Sequence, residues 1–257
     1  MLQKINTYFW YFIEYLKHGD FRSILASVRY LIIKKSHSKD RIIQSSVGKF
    51  FCRKNTNDFQ FANLRYEWGV KRFILDHIHE FSLFIDAGSC VGTYAILSAK
   101  HNLPCIAFEP MTTNFDVLMK NLQLNQLNGK VKALNVGLGN ENKTVNFNFN
   151  QSNTGASHIA KGNLANSYPV ELRTFDSLQD EFKINILNNI LFKMDVEGME
   201  SEALEGAGNF IRNHPNITFV VEDTFTGQSR IKSILDKYGK FEYGEVDQYN
   251  LYAKKII

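Results

Sequence analysis

The stretch Phe84-Ile-Asp-Ala-Gly-Ser-Cys-Val-Gly-Thr-Tyr94 decides how this chain is predicted to fold. It overlaps the end of an apolar run from Phe81 to Ile85, and apolar residues at helical spacing continue from Val91 to Lys100. The pattern predicts a buried strand, a tight glycine turn and the N-terminus of a helix. A second apolar run ends at Glu109, 23 residues after Asp86. Two acids at this spacing favour a nucleotide-like ligand, the first beside the turn and the second on a ribose.

Strand and helix patterns alternate from residue 81 onward, which predicts a largely parallel sheet covered by helices on both faces. We expect strands near 81–86, 104–108, 131–137, 189–194 and 217–221, and helices near 91–100, 112–126, 199–212 and 228–238. The chain then ends in a predicted antiparallel hairpin, with strands at 241–246 and 251–256. Such a hairpin separates the methyltransferase form of this architecture from the dinucleotide-dehydrogenase form. The expected fold is therefore an α/β, Rossmann-like, seven-stranded sheet over residues 81–257.

Two further segments are predicted outside this core. Residues 1–80 are expected to form an N-terminal extension, with two helices divided at Gly19-Asp20, a β-hairpin within 41–53 and a third helix over 64–78. Its aromatic helices either rest on a membrane surface or pack against the core or a second copy of the chain. A polar, asparagine-rich insertion over 139–169 includes a predicted strand at 144–150.

Composition limits the classes of partner and compartment. The formal charge of +4 is spread over 30 basic and 26 acidic residues, so no nucleic-acid partner is expected. The three cysteines are widely spaced and favour a reducing, cytoplasmic setting over a disulfide framework. No apolar run approaches the ~20 residues that span a bilayer, and the first residues lack a signal-peptide pattern. We expect a cytoplasmic protein without a transmembrane segment.

The glycine turn itself indicates which ligand it binds. Pyrophosphate recognition requires the pattern G-x-G-x-x-G, whereas this turn has only Gly88 and Gly92. A helix N-terminus and a nearby acid suit the carboxylate and ammonium of an amino acid, and Glu109 suits two ribose hydroxyls. Together these groups describe S-adenosylmethionine, although each glycine alone also fits a simple strand-to-helix turn. The predicted cofactor-binding residues are Asp86, Gly88, Gly92, Thr93, Glu109 and Asn114.

Several motifs carry a family resemblance: Ile85–Gly92, Phe108–Pro110, Asn121–Asn125, Gly155–Ser157, Leu172–Leu178, Phe192–Glu200 and Leu204–Ala207. On these segments the chain resembles the FkbM family of S-adenosylmethionine-dependent methyltransferases. It departs from the family pattern at Ser89-Cys90, where Ala-Asn is usual. The resemblance implies O-methylation, commonly of sugars, glycans or secondary metabolites.

Candidates for the chemistry follow the fourth and fifth core strands, because ligands bind at the carboxyl ends of parallel strands. Asp195 or Glu197 is a candidate general base, since a sugar hydroxyl is a poor nucleophile at neutral pH. Alternatively, a divalent cation polarises the acceptor. Glu197 also suits a helix N-terminus, and Lys193 and Asp195 also suit a structural ion pair. The candidate catalytic residues are Asp195, Lys193, Glu197 and His158, and the candidate metal ligands are Asp195, Glu222 and Asp223.

The sequence thus predicts an S-adenosylmethionine-dependent O-methyltransferase. The resemblance alone implies that the acceptor is a sugar hydroxyl of a bacterial surface glycan or its precursor. Two alternatives stay open, a carboxyl or small-metabolite O-methyltransferase and a non-catalytic binding module. The N-terminal extension is a candidate surface for homo-oligomer formation or for peripheral membrane contact.

Overall fold

The computed structural model describes residues 2–150, 152–159 and 167–256, with side chains from Tyr8 onward. The side chain of His158 lies outside the described atoms, so its candidate role as a base stays a prediction.

The helices are α1 (Leu2–Lys17), α2 (Phe21–Ile33), α3 (Asp58–Phe61), α4 (Trp68–His77), α5 (Thr93–Lys100), α6 (Thr112–Leu124), α7 (Phe175–Phe182), α8 (Glu200–Glu205), α9 (Gly208–Asn213) and α10 (Gln228–Leu235). The strands are β1 (Arg41–Gln44), β2 (Lys49–Cys52), β3 (Leu83–Ala87), β4 (Cys105–Phe108), β5 (Val131–Leu134), β6 (Gly137–Leu138), β7 (Lys143–Asn148), β8 (His158–Ile159), β9 (Ser167–Arg173), β10 (Ile190–Met194), β11 (Ile217–Glu222), β12 (Lys240–Asp247) and β13 (Asn250–Ile256). A short 3-10 helix spans Ile78–Glu80.

The main sheet contains seven of the described strands in the order β12-β13-β11-β10-β3-β4-β5. The five strands from β11 to β5 are parallel, and β13 is antiparallel to both β11 and β12. All five residues of β10 are buried because helices cover both faces of the sheet, which explains the continuous apolar runs of the central strands. The predicted Rossmann-like sheet with its closing hairpin is confirmed.

Some predicted helices differ from the observed ones. The segment predicted as one helix over 199–212 forms α8 and α9, and a side chain on the intervening Gly206 would lie 1.8 Å from the carbonyl oxygen of Gly139. The helix predicted over 64–78 begins only at Trp68, because Glu67 adopts a left-handed conformation with φ of 49°. Helix α7 was not predicted from the strand and helix pattern. Its N-cap is Thr174, whose hydroxyl accepts the Ser177 N–H at 3.2 Å.

The predicted insertion contributes to a second, four-stranded sheet with the order β6-β9-β7-β8. Strands β7 and β9 are antiparallel, and β6 is parallel to β9. The apolar face of this sheet packs on residues that follow β4 and β10, forming a small core of Met111, Phe147, Val170, Leu172 and Met199. This packing holds the insertion over the carboxyl ends of the central strands.

The first 80 residues share a hydrophobic core with the main sheet. Ile43, Phe50, Phe59 and Ile74 belong to the same buried cluster as Phe84 of β3. The β1–β2 hairpin is also fixed to α6 by hydrogen bonds, including one of 2.7 Å from Phe51 N–H to Asn121. The division of the chain at residue 80 therefore stays a prediction.

Helices α1 and α2 expose many large apolar side chains: Phe9, Trp10, Phe12, Ile13, Leu16, Phe21, Leu25, Val28, Leu31, Ile32 and Ile33. Glu14 of α1 and Asp20, the N-cap of α2, are instead buried, where they accept hydrogen bonds from Ser46 and Ser23 respectively. Contact of this face with a membrane or a second chain stays a prediction. Within the described residues, the search for a helix of sufficient length and apolarity to span a bilayer found none.

Candidate active site

A cavity of about 330 Å³ lies at the carboxyl ends of β3, β4 and β10. Its lining comes from distant parts of the chain, because the sheet edge, the N-terminal extension and the insertion meet there. The glycine turn contributes Gly88 to Cys90, and the segment before α4 contributes Tyr66 and Glu67. Glu109 lines it from the end of β4, Asp195 from the end of β10, and residues 153 and 155–157 from the insertion.

Gly88 joins the glycine turn to the end of β10. Its φ is 84°, and a side-chain carbon built there would lie 1.8 Å from the carbonyl oxygen of Asp195. Asp195 N–H also donates to Ala87 O at 3.1 Å, and Gly88 N–H donates to Phe108 O at 3.0 Å. Only glycine combines this backbone conformation with so close an approach. The turn is therefore held against the strands on both sides of β3.

Glu109 is a buried acid with both oxygens anchored by backbone groups. Oε2 accepts the Cys90 N–H at 2.8 Å, and Oε1 accepts the Met111 N–H at 2.9 Å. Burial raises the pKa of Glu109 to about 7, although these two hydrogen bonds oppose the shift. Oε1 also accepts a longer hydrogen bond, of 3.4 Å, from the Asn114 side-chain amide. Oε2 keeps a lone pair that no described group uses, so Glu109 can still accept a hydrogen bond from a hydroxyl group there.

Asp86 lies in β3 and is fully buried. Neither of its carboxylate oxygens has a hydrogen-bond partner within the described structure. Burial raises the pKa of Asp86 to about 6, and Lys193, its register partner on β10, acts in the opposite direction. An unpartnered buried carboxyl group beside a turn is suited to a bound cationic group, because burial without a partner costs free energy.

The other predicted cofactor-binding residues are committed to contacts within the protein. Thr93 donates its hydroxyl proton to Phe61 O at 3.0 Å, and Asn114 donates to Thr154 O at 2.9 Å. Both line the cavity, and they connect it to the extension and the insertion respectively. Gly92 precedes α5, and a side-chain carbon there would lie 2.3 Å from Leu118 Cδ1. Thr93 and Asn114 therefore shape the cavity wall, whereas Gly92 and Asp86 do not line it.

Lys193 and Asp195 form an ion pair at the end of β10. The distance from Lys193 Nζ to Asp195 Oδ2 is 3.2 Å, and the ammonium lies 4.6 Å from the centre of the Tyr94 ring. Burial alone lowers the pKa of Lys193, but the charges of Asp195, Asp86 and Glu67 outweigh burial and raise it. Lys193 therefore stays protonated, and its charge balances that of the Asp195 carboxylate.

Glu222, at the end of the neighbouring strand β11, lies beside this pair. Burial, followed by the charge of Asp195 and a hydrogen bond with it, raises the pKa of Glu222 to about 9. Glu222 is thus protonated at neutral pH and shares its proton with Asp195. Glu197 also lines the cavity, and burial, followed by Asp195 and Glu200, raises its pKa to about 8. Acids whose pKa values are raised by burial and by neighbouring carboxylates are typical of functional sites.

Glu67 lines the same cavity but was not among the predicted site residues. It accepts a hydrogen bond of 2.6 Å from the Tyr94 hydroxyl, and burial together with Asp195 raises its pKa. Lys193 and Lys71 oppose that increase. The position of Glu67 depends on its left-handed backbone, which the apolar spacing around it did not indicate.

The predicted three-carboxylate metal site does not form in the described part of the chain. No group of three His, Cys, Asp or Glu side chains that could hold a metal ion was found among those residues. Asp195 and Glu222 line the cavity, whereas Asp223 does not. The Asp223 N–H donates to Tyr249 O at 2.8 Å, a contact with the β12–β13 turn.

The carboxyl-end cavity and the sheet with its closing hairpin define a methyltransferase. Residues 86–253 match the methyltransferase FkbM domain, and the chain belongs to this family of S-adenosylmethionine-dependent methyltransferases. The resemblance found from the sequence motifs is thus confirmed, and the interpretation as a non-catalytic module is set aside.

Several known proteins are similar to this chain. It is 29% identical over 186 residues to the hexuronic acid methyltransferase AglP of Haloferax volcanii, covering 72% of this chain and 73% of AglP. The crystal structure of methyltransferase FkbM from Methylobacillus flagellatus shares 16% identity at a TM-score of 0.48, covering 77% of this chain. This chain spans 56% of that protein. The O-methyltransferase of Bacillus cereus, solved with S-adenosylhomocysteine, has a TM-score of 0.41 and 10% identity, with 74% of this chain and 80% of that one covered.

Proposed function

We propose that this enzyme transfers a methyl group from S-adenosylmethionine to a sugar hydroxyl of a surface glycan or of its precursor. The observation that carries the proposal is the pair of adjoining spaces at the carboxyl ends of the strands. The cavity that contains Glu109 shares its wall residues Tyr66, Glu67, Lys193, Asp195 and Glu222 with a second cleft of about 920 Å³. A cofactor and an acceptor can therefore meet at Asp195. The similarity to AglP supports a sugar as the acceptor.

The residues of the cavity fit S-adenosylmethionine. Oε2 of Glu109 offers a free lone pair to a ribose hydroxyl, and the Gly88 turn leaves backbone close to the ligand without a side chain in the way. Asp86 does not line the cavity, but its buried carboxyl group, without a hydrogen-bond partner in the described structure, adds negative charge behind the glycine turn that favours an ammonium group nearby. When bound, S-adenosylmethionine supplies the methyl group, which passes to the acceptor oxygen as the sulfonium becomes a neutral thioether.

Asp195 is the proposed general base. It lies on the wall common to the two spaces, and about a quarter of its side chain (26%) is exposed, so it can contact an acceptor. The hydroxyl proton goes to the Asp195 carboxylate as the oxygen gains the methyl group, and it is later released to water. Alignment of the acceptor oxygen supplies much of the remaining rate enhancement.

Lys193 and Glu222 position this base. The ammonium of Lys193 fixes Asp195 Oδ2, and the protonated carboxyl group of Glu222 bonds to the same side chain. Burial raises the pKa of Glu197 to about 8, so its carboxyl group is mostly protonated at neutral pH. A protonated carboxyl group cannot accept a proton, and Glu197 is therefore a weaker candidate.

Incubation with deuterated S-adenosylmethionine and a glycan extract from cells that lack the protein tests this function. We expect mass spectrometry to find the deuterated methyl group on a sugar residue, in a linkage that survives mild alkali, because methyl ethers resist hydrolysis. The Asp195→Asn variant is the matched control and should transfer little label. Label that mild alkali removes would identify a methyl ester and would replace the hydroxyl acceptor with a carboxyl group.

A further inference from the structure

Both tryptophans of the chain lie in the second cleft, on either side of one arginine. Trp10 comes from α1, and Trp68 is the first residue of α4. The guanidinium carbon of Arg65 is 4.7 Å from the centre of the Trp10 ring and 4.3 Å from that of Trp68. Residues 58 positions apart in the sequence thus hold the guanidinium group in a stack.

The stacked arginine is not neutralised by the protein. Within the described residues, the guanidinium of Arg65 makes no ion pair or hydrogen bond; only its backbone N–H does, to Asn63. Both rings lie within cation–π distance of the guanidinium carbon, and the five N–H donors of the group form a fixed planar fork. Such a guanidinium is pre-organised to bind a planar anion with two parallel hydrogen bonds.

None of the acids that line the cleft forms an ion pair with Arg65 within the described residues, and Glu67 instead accepts a hydrogen bond from the Tyr94 hydroxyl. Asp195 is paired with Lys193, and Glu222 is protonated at neutral pH. Asp247 Oδ1 already accepts hydrogen bonds from Tyr249 N–H at 3.0 Å and from the Asn250 side chain at 2.9 Å. Arg65 is therefore the cation in this cleft that a ligand can still satisfy.

Aromatic side chains complete the recognition surface. Trp10 and Tyr249 line the cleft and are exposed, at 40% and 53% of their surface. Exposed aromatic faces bind the apolar C–H faces of sugars while leaving the hydroxyl groups free to form hydrogen bonds. The combination of aromatic faces and one unpaired guanidinium suits a sugar that carries an anionic group.

We propose that this cleft is the acceptor site and that Arg65, held between Trp10 and Trp68, selects a sugar bearing a carboxylate or a phosphate. The inference rests on the proposed function, because it identifies the acceptor of the same reaction. Helix α1 of the N-terminal extension then forms part of the acceptor site. The chain's two tryptophans make binding visible, since their fluorescence reports on this stack.

The test is a fluorescence titration of the enzyme saturated with S-adenosylhomocysteine. Three probes are compared: methyl β-D-glucuronide, glucose 6-phosphate and methyl β-D-glucoside. We expect saturable changes in tryptophan fluorescence, with at least one anionic sugar binding roughly tenfold or more tightly than the neutral glucoside. A preference for the glucuronide indicates a carboxylate ligand, and a preference for the phosphate indicates a phosphorylated one.

Variants assign the preference to Arg65. Arg65→Gln should remove the preference for anionic sugars without changing the affinity for S-adenosylhomocysteine. Arg65→Lys should keep the charge but weaken binding of the anionic sugar, because lysine lacks the parallel N–H donors of a guanidinium group. Arg72→Gln, an exposed arginine paired with Asp76 on α4, is the matched control and should bind like the wild type. Equal affinity for the three probes, no saturable signal from either anionic sugar, or identical behaviour of the Arg65 and Arg72 variants would overturn the proposal. The titration requires no turnover, so its failure is distinct from failure of methyl transfer.

Discussion

Gly88→Ala tests the two reasons why this turn requires glycine, the positive φ of residue 88 and its close approach to Asp195. A non-glycine residue at a φ of 84° costs about 1–2 kcal/mol. The added carbon would also lie 1.8 Å from Asp195 O, so the turn and the end of β10 must separate by more than an ångström. Overpacking of this kind adds about 1–3 kcal/mol. We expect Gly88→Ala to lower the free energy of unfolding by about 2–5 kcal/mol in total.

Two matched variants divide this loss into its parts. Gly19 also has a positive φ, 64°, but open space where a side chain would be, so Gly19→Ala should lose only about 1–2 kcal/mol. Gly129→Ala has neither strain nor a neighbouring atom within 4 Å and should change the stability little. Urea denaturation measures all three variants, and calorimetry with S-adenosylhomocysteine should show weakened binding for Gly88→Ala alone. If Gly88→Ala loses no more stability than Gly19→Ala and binds normally, the close approach to Asp195 is not what requires glycine.

Three other substitutions test the charges of the site. Glu109→Ala should weaken binding of S-adenosylhomocysteine by about 1.5–3 kcal/mol in calorimetry, and unchanged affinity would place the ribose elsewhere. Lys193→Met should lower the free energy of unfolding by about 3–5 kcal/mol, since it leaves Asp195 without its cation, whereas the exposed control Lys240→Met should change it little. The folded-state pKa of Glu222 is raised from 4.5 to about 9, so the wild type should lose stability as the pH rises through this interval. Glu222→Gln lacks that loss, and its melting temperature should gain on the wild type between pH 5 and pH 9; parallel melting curves for the two proteins would contradict the assignment.

The sequence was sufficient for those features that depend on local patterns. Central strands such as β10 are buried on both faces and therefore appear as continuous apolar runs, and the hairpin appears as two alternating runs around a polar turn. The positions of Asp86 and Glu109 at strand ends follow from the same runs, because parallel strands end at one edge of the sheet. This is why the positions of these two acids were predictable, and their contact with the cofactor stays a proposal.

The proposed acceptor side depends on contacts between distant segments and was not predictable in this way. Glu67 enters the cavity because its backbone is left-handed, a conformation that the helical spacing around it does not reveal. The stack of Trp10, Arg65 and Trp68 exists only because α1 packs beside the start of α4. Helix α7 is short, and its start depends on a single Thr174 cap. For Glu67 and for the stack, tertiary packing decides the structure, whereas α7 depends on a local cap that the apolar pattern does not reveal.

Asp195→Asn tests the central claim most directly, because it changes the proposed base and nearly preserves the shape of the side chain. Calorimetry measures the affinity for S-adenosylhomocysteine, and acceptor-dependent release of S-adenosylhomocysteine from S-adenosylmethionine measures turnover on the same glycan extract. We predict that the affinity stays within about twofold of the wild type while turnover falls by at least about 100-fold, the typical contribution of a general base. Turnover close to that of the wild type, or an equal loss of binding and turnover, would contradict the assignment of Asp195 as the base between cofactor and acceptor.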